Sequence, residues 1–342
     1  MTGPLGPSLS HSLGHHGDLD VAPGLVDLAV NVRPGTPPEW LRQRLAEVDL
    51  AAYPDQRAAV AELAARHGVT PDEVLLTAGA TEAFVLVARA LRPRHALVVH
   101  PQFTEPELAL RAGGHPVHRL VLPPPYVLEP KRVADDADVV VIGNPTNPTS
   151  VLHPAATLRA LLRPGRLLVV DEAFMDTVPG EPESLVGESG ALVIRSLTKT
   201  WGLAGLRIGY AVGDPEIVDR LRAVQPHWPV SSPALAAAVA CSSPEAIAEA
   251  DHAARELAGR REHLVKRLDD IDGVEVAGAP AASFVLLRTG CPELWKPLRD
   301  RGFAVRRGDT FPGLGADWIR VAVRDEATSS AFADALRECL WT

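Results

Sequence analysis

The stretch Ser196-Leu197-Thr198-Lys199 decides the fold and the chemistry that this sequence predicts. It closes the apolar run Leu192 to Ser196, which has the length and composition of a buried strand. Eight residues after the lysine, Arg207 lies in a glycine-rich segment. This arrangement suits a cofactor that carries an aldehyde and a phosphate, because Lys199 would bind the aldehyde as a Schiff base. Ser196, Thr198 and Arg207 would hold the phosphate. A surface lysine at the end of a strand explains the segment, taken alone, equally well.

Asp171 favours the first of these two interpretations. It ends the apolar run Leu167 to Val170 and opens the string Asp171-Glu172-Ala173-Phe174. A carboxylate at the carboxyl end of a strand can keep a pyridine nitrogen protonated, and the charged ring then accepts electrons when a bond at the substrate's α-carbon breaks. Glu172 is expected to face away. Together, Lys199 and Asp171 predict pyridoxal 5'-phosphate (PLP) as the cofactor.

Three further segments follow strands or precede a helix. Asn147, in the proline-rich turn after the run Val139 to Ile142, can donate its amide to the cofactor's phenolic oxygen. Gly79-Ala80-Thr81 precedes a helix, whose start would cradle the phosphate with backbone amides. The Thr81 hydroxyl can equally be a helix N-cap. Phe103 is placed to stack on the cofactor ring, although packing in the core is the simpler reading of a lone phenylalanine.

Seven short apolar runs alternate with helical patterns such as Thr81 to Leu91 and Glu105 to Ala112. This alternation predicts an α/β fold with a mainly parallel seven-stranded sheet covered by helices on both faces. Ligands of such sheets bind beyond the carboxyl ends of the strands. The runs are Val74 to Thr77, Ala96 to His100, Val117 to Leu120, Val139 to Gly143, Leu167 to Asp171, Leu192 to Ser196 and Arg207 to Val212.

The pattern divides the chain into three parts. Residues 1–38 are predicted to be an N-terminal arm, irregular as far as Asn31, that packs with the small domain and covers a pocket. Residues 39–224 are the large PLP-binding domain, and residues 225–342 are a small α+β domain that follows a proline-interrupted hinge. The elements expected around and beyond the hinge are a helix capped by Asp214 and reaching Val224, helices Pro244 to Leu268 and Pro292 to Arg301, strands Ser283 to Arg288 and Trp318 to Val323, and a last helix to about Leu340.

Composition and charge exclude several classes of function. The chain has 342 residues and a formal charge of -9 without a basic stripe, so no nucleic-acid partner is expected. No apolar run approaches the ~20 residues of a membrane span, and the first residues do not resemble a secretory signal, so we expect a cytoplasmic protein. Three distant cysteines predict no disulfide framework. The arm carries His11, His15 and His16 without acidic or cysteine partners at ligand spacing, so no metal is expected.

Together these residues resemble the fold-type I, aspartate-aminotransferase-like superfamily of PLP enzymes, in its class I/II branch. The resemblance covers the chain from about Asn31 to the last helix, and it implies that Arg320 binds a substrate carboxylate. It also implies that Tyr53 reaches the phosphate in the neighbouring subunit's site, and hence a homodimer with shared active sites. The residues that carry the resemblance are Gly79-Ala80-Thr81, Asn147, Asp171, Ser196, Lys199, Arg207 and Arg320.

Within that superfamily, three strings look more like the cobalamin-pathway L-threonine-O-3-phosphate decarboxylases than like the aminotransferases. This likeness implies decarboxylation of L-threonine O-3-phosphate to (R)-1-amino-2-propanol phosphate. It also places Asn31, Arg33 and His15 of the arm near the substrate's distal group. The arm departs from the branch, because Asp18 replaces a glycine and Arg33 an asparagine. The strings are Asp171-Glu172-Ala173-Phe174, Ile194 to Lys199, and Arg307 to Leu314 leading into Ile319 to Arg324.

Two alternatives remain. The first is an aminotransferase of the histidinol-phosphate type, in which Arg320 holds a carboxylate near the ring plane and the α-proton leaves instead of carbon dioxide. Aminotransferases usually carry tyrosine where Phe174 stands, which favours the decarboxylase. The second is a regulator or binding module without catalysis, which is disfavoured because the residues for imine chemistry are present and no DNA-binding segment is appended. A small phosphorylated amino acid is the expected substrate.

Overall fold

A seven-stranded sheet forms the centre of the larger part of the molecule in the computed structural model, which describes residues 13–341. Strands β3 to β7 pair in parallel, and β8 runs antiparallel to both β2 and β7. The predicted mainly parallel sheet is therefore confirmed, in the order β2-β8-β7-β6-β5-β3-β4. The strands are β2 (Val74–Thr77), β3 (Ala96–His100), β4 (Val117–Val121), β5 (Val139–Gly143), β6 (Leu167–Asp171), β7 (Ala191–Ser196) and β8 (Gly209–Gly213).

Successive side chains of these buried strands enter different apolar clusters. Val140 and Ile142 of β5 pack in one cluster, and Val139 and Val141 pack in the other. Because side chains alternate across a strand, an apolar run of this kind fits a sheet with both faces covered. The helices of this part are α1 (Glu39–Ala46), α2 (Arg57–His67), α3 (Ala80–Leu91), α4 (Glu105–Ala112), α5 (Ala155–Arg159) and α6 (Pro215–Arg222).

The structure locates the N-caps of two predicted helices. Gly79, with φ 79°, occupies the N-cap position of α3, so Thr81 lies inside the first turn. Asp214 stands at the N-cap of α6, but its side chain makes no capping hydrogen bond and instead accepts from the backbone amide of Gly190 at 2.8 Å. The sequence pattern locates a helix start but does not reveal a competing backbone donor from another loop.

A second sheet has five strands in the order β1-β11-β12-β10-β9. The prediction that the arm is irregular as far as Asn31 is wrong, because β1 pairs in parallel with β11. At three residues, β1 is too short to show a period by itself. The domain boundaries after residues 38 and 224 stay a prediction. The strands are β1 (Val26–Leu28), β9 (Glu275–Val276), β10 (Phe284–Arg288), β11 (Phe303–Arg307) and β12 (Trp318–Ala322), and the helices are α7 (Ser232–Cys241), α8 (Pro244–Asp269), α9 (Trp295–Asp300) and α10 (Glu326–Leu340).

Residues 13–341 contain neither a membrane-spanning helix nor a group of three metal-ligating side chains. None of their helices is both long and apolar enough to cross a membrane. In the same part of the chain, no three His, Cys, Asp or Glu side chains come together as a metal site would require. His11, one of the three arm histidines, lies outside the described residues.

Candidate active site

A cavity of about 460 Å³ lies where the carboxyl ends of β3, β5, β6 and β7 meet the arm and the second sheet. Its size is within the range of roughly 300–1,000 Å³ that is usual for small-molecule sites. The sheet topology explains the place, because the carboxyl ends of parallel strands open on one edge. Residues predicted from the sequence that line this cavity are Asn31, Gly79, Ala80, Thr81, Phe103, Asn147, Asp171, Ser196, Thr198, Lys199, Arg207 and Arg320.

Three predicted residues lie elsewhere. The ring of His15 contacts Asp20 (Nε2 to Oδ1, 2.9 Å), and His16 lines the cavity instead. Arg33 lines a smaller neighbouring cavity, and its backbone amide donates to the carbonyl of Lys199 at 2.9 Å. Tyr53 is 76% exposed, outside the cavity.

Lys199 is buried among groups that favour its neutral form. Burial and the nearby Arg320 and Arg207 guanidinium groups lower the pKa of its amine to about 8, against an opposing effect of Asp171 and Asp18. Its Nζ lies 5.7 Å from the centre of the Phe174 ring. An amine that loses its proton near neutral pH is a nucleophile, so the site can bond covalently to an aldehyde.

Asp171 is a buried carboxylate with a single hydrogen-bond donor. The backbone amide of Ala173 donates to Oδ1 at 3.0 Å, and burial raises the pKa of Asp171 to about 6. A buried acid in this state needs a cationic partner, and the ring nitrogen of PLP is such a group. Glu172 lies outside the cavity, as the sequence predicts, and is bound on the other face of the sheet by Arg195 (Nη1 to Oε2, 3.0 Å).

The start of α3 and Arg207 converge on one anion-binding corner. Gly79 has φ 79°, which other residues rarely adopt, and a Cβ there would lie 2.5 Å from Nη2 of Arg207 and displace the guanidinium group. Ala80 and Thr81 bring the unpaired backbone amides of the first turn to the cavity. Across it, the hydroxyls of Ser196 and Thr198 lie 2.7 Å apart. This corner fits the PLP phosphate.

Two buried arginines line the opposite wall. Arg320 donates from Nη1 to Oδ1 of Asn147 at 2.5 Å and from Nη2 to the carbonyl of Ala29, while its Nε has no partner among the described residues. Arg306 donates from Nη2 to the carbonyl of His15 at 2.6 Å. Burial lowers the pKa of Arg320 to about 9 and that of Arg306 to about 10. Two incompletely paired guanidinium groups form a site for an anion with several oxygens.

Several residues that line this cavity were not predicted from the sequence. Arg306 is the last residue but one of β11, a strand that was not predicted from the sequence, although Phe303 to Val305 is a short apolar run. An arginine directly after that run was the signal that would have identified it. The others come from the folded arm or from loops, where sequence gives no direction for a side chain. They include His16, Gly17, Asp18 and Phe311.

Comparisons with known proteins show the family to which the chain belongs. The family model described as aminotransferase class I and II matches residues 23–336. The chain is 51% identical over 320 residues to a histidinol-phosphate aminotransferase of Mycobacterium tuberculosis, covering 91% of this chain and 87% of that protein.

Two solved structures are similar to the whole fold. The histidinol-phosphate aminotransferase from Clostridium acetobutylicum superposes with a TM-score of 0.85 at 26% identity, covering 92% of this chain and 99% of that one. The L-threonine-O-3-phosphate decarboxylase from Porphyromonas gingivalis gives 0.83 at 26% identity, covering 93% and 100%.

Proposed function

Because the chain belongs to the class I and II aminotransferase family and is a PLP-dependent enzyme, we propose that it is an aminotransferase of the histidinol-phosphate type. The sequence by itself favours decarboxylation of threonine phosphate, with this activity as the alternative. The observation that carries the proposal is the 51% identity over 320 residues to a histidinol-phosphate aminotransferase. The decarboxylase fold is also similar, at a lower identity of 26%.

The chain's own residues have distinct parts in the reaction. When bound, PLP supplies a ring that withdraws electrons from the substrate's α-carbon. Lys199 holds the cofactor covalently, and its amine moves a proton at that α-carbon. Asp171 keeps the ring nitrogen protonated, and the amide of Asn147 is available to the phenolic oxygen. The corner formed by Gly79, the start of α3, Ser196, Thr198 and Arg207 holds the phosphate.

Arg306 and Arg320 explain how the cavity would bind a phosphorylated substrate. Nε of Arg320 has no partner among the described residues, and Nη1 of Arg306 makes no hydrogen bond there, although it lies 3.5 Å from Oδ2 of Asp20. Both arginines line the cavity. Histidinol phosphate has no carboxylate, so both arginines can bind its phosphate. Without a carboxylate on the α-carbon, the only group that this carbon can release is a proton. The substrate therefore selects transamination.

The test compares two substrates on the purified, PLP-loaded protein. With L-histidinol phosphate and 2-oxoglutarate, we expect glutamate to form only when both are present. With L-threonine phosphate alone, we expect no carbon dioxide. Carbon dioxide release from threonine phosphate without a keto acid would overturn the proposal in favour of the decarboxylase, and no reaction with either substrate would favour a non-catalytic protein.

We also propose a homodimer in which Tyr53 completes the partner's site. Tyr53 is exposed, stacks on Trp228 with ring centres 4.5 Å apart, and is absent from its own chain's cavity. Tyr53→Phe should weaken PLP retention about tenfold, because one hydrogen bond to a charged phosphate is lost. Light scattering and equilibrium dialysis measure the two properties. Tyr126→Phe removes a hydroxyl remote from the cavity and is the control; a monomer with full PLP retention contradicts the proposal.

A further inference from the structure

One charged residue of the cavity has no part in the functions assigned so far. Among the described residues, two carboxylates line the cavity, Asp171 and Asp18. Asp18 lies in the 3-10 helix Gly17–Asp20 of the arm and forms no hydrogen bond or ion pair within residues 13–341. Asp20, two residues further on, is by contrast bound by His15 and paired with Arg306. Asp18 is thus an unpaired acid at the mouth of the cavity.

The arm segment that carries Asp18 is held on both sides. His16 contacts Glu105 (Nε2 to Oε1, 2.6 Å) at the start of α4, and Arg299 donates from Nη1 to the carbonyl of Asp20 at 2.8 Å. A Cβ at Gly17 would lie 2.6 Å from the carbonyl oxygen of Ala29, so the backbone there packs against the chain after β1. The carboxylate of Asp18 is therefore presented from a fixed backbone, which makes a side chain useful for selectivity.

The cavity's arginines do not neutralise Asp18. The charge of Asp20 acts on Arg306 and Arg320, and that of Asp27 acts on Arg320 as well, whereas the charge of Asp18 acts on Lys199. The cavity thus has an anion-binding wall and, apart from it, one free acid. Phe103 and Phe311 line the same space and offer apolar surface for a ring. Asn31, which is 4% exposed, has both amide atoms unpaired among the described residues and adds a further acceptor.

We propose that Asp18 determines side-chain specificity by accepting a hydrogen bond from a protonated nitrogen heterocycle, the imidazole of the substrate, while Arg306 and Arg320 bind the phosphate at the other end. This inference rests on the proposed function and deepens it. Glycine stands at this position in the decarboxylase-like pattern, and threonine phosphate has no ring nitrogen to bind there. Asp18 is exposed, so a substrate without the donor leaves its carboxylate to water, whereas a substrate with a ring N–H gains a charge-assisted hydrogen bond.

The test uses two substrates that differ only in the ring. L-Histidinol phosphate and L-phenylalaninol phosphate share the amine and the phosphate, and only the first has ring nitrogens. The preference is the ratio of their kcat/KM values in the PLP-loaded protein. Asp18→Asn should reduce this preference about tenfold, since a charge-assisted hydrogen bond is lost. Glu62→Gln removes the same charge from an exposed position of α2 and should keep the ratio within about twofold.

A binding measurement separates this inference from the proposed function. Calorimetry of both phosphates with the PLP-loaded Lys199→Ala variant, with and without Asp18→Asn, gives the same preference as a ratio of dissociation constants. A tenfold fall in that ratio supports the role of Asp18 even if the wild-type protein transfers no amino group. Equal losses for both phosphates, or no change, overturn it, whatever the outcome of the transamination assay.

Discussion

Replacing Lys199 with alanine should lower turnover by about 10⁴-fold or more, because one side chain both holds the cofactor and moves the proton. Borohydride treatment followed by mass spectrometry should find the reduced adduct on wild-type protein and none on the variant. Lys266→Ala, an exposed change on α8, should keep both the adduct and the activity. An adduct that persists in the Lys199 variant would assign the cofactor to another residue.

The environment of Lys199 also predicts how the protein captures PLP. Burial and two neighbouring guanidinium groups lower the pKa of its amine from 10.5 to about 8. The neutral, reactive amine therefore accumulates as pH rises to about 8, and the rate of adduct formation by cofactor-free protein should level off above that pH. Stopped-flow absorbance measures this profile. A rate that keeps rising past pH 10 would indicate a lysine with an ordinary pKa.

Asp171→Asn should lower turnover by about 10³-fold, because a neutral amide cannot hold a proton on the cofactor's ring nitrogen and the ring becomes a weak electron acceptor. The same change should leave the protein folded, since asparagine has nearly the same shape and keeps an oxygen for the amide of Ala173. Steady-state assays and circular dichroism test the two statements. Near-normal turnover would remove Asp171 from its proposed role.

Although Asp171→Asn should lower turnover, it should raise the stability of the cofactor-free protein. Burial raises the pKa of Asp171 from 3.8 to about 6, so the folded state binds this proton more tightly than the unfolded chain does. The stabilisation that this proton gives the folded state is fully present below pH 3.8 and is lost as pH rises through about 6. The loss lowers the free energy of unfolding by about 3 kcal/mol. Asparagine avoids this cost.

The measurement is thermal unfolding of the cofactor-free proteins at two pH values. Asp171→Asn should raise the melting temperature at pH 8 and have a smaller effect at pH 5. Asp272→Asn, at an exposed position, is the control for removal of one negative charge. Equal melting temperatures for the Asp171 variant and wild type at pH 8 would contradict a costly buried charge.

The half of the site that the sheet builds was predictable from the sequence. Asp171, Asn147 and Lys199 each follow an apolar run, and parallel strands bring such positions to one edge whatever the details of packing. The glycine corner was also foreseeable, because a glycine stands directly before a helical pattern. In the structure Gly79 adopts φ 79°, which other residues rarely do. Strand length and periodicity contain this information directly.

The other half depends on how the arm and second sheet fold over the first. His15 and His16 are adjacent in sequence, and only the pairing of one with Asp20 and the other with Glu105 decides which reaches the cavity. Arg306 depends on β11, whose pairing with the three-residue β1 no local pattern reveals. Long-range contacts, rather than local propensity, fix these side chains.

The ion pair between Glu172 and Arg195, on the reverse face of the sheet, has a consequence for evolution. Both side chains are almost completely buried, and Arg195 also pairs with Asp176 and Glu181. Loss of one partner leaves an uncompensated charge, which costs about 3–5 kcal/mol. Positions 172 and 195 should therefore covary among relatives, while arm positions such as 18 should vary with the substrate. Substrate range can then diversify by mutation of the arm alone, and a library for directed evolution should vary the arm and keep that pair fixed.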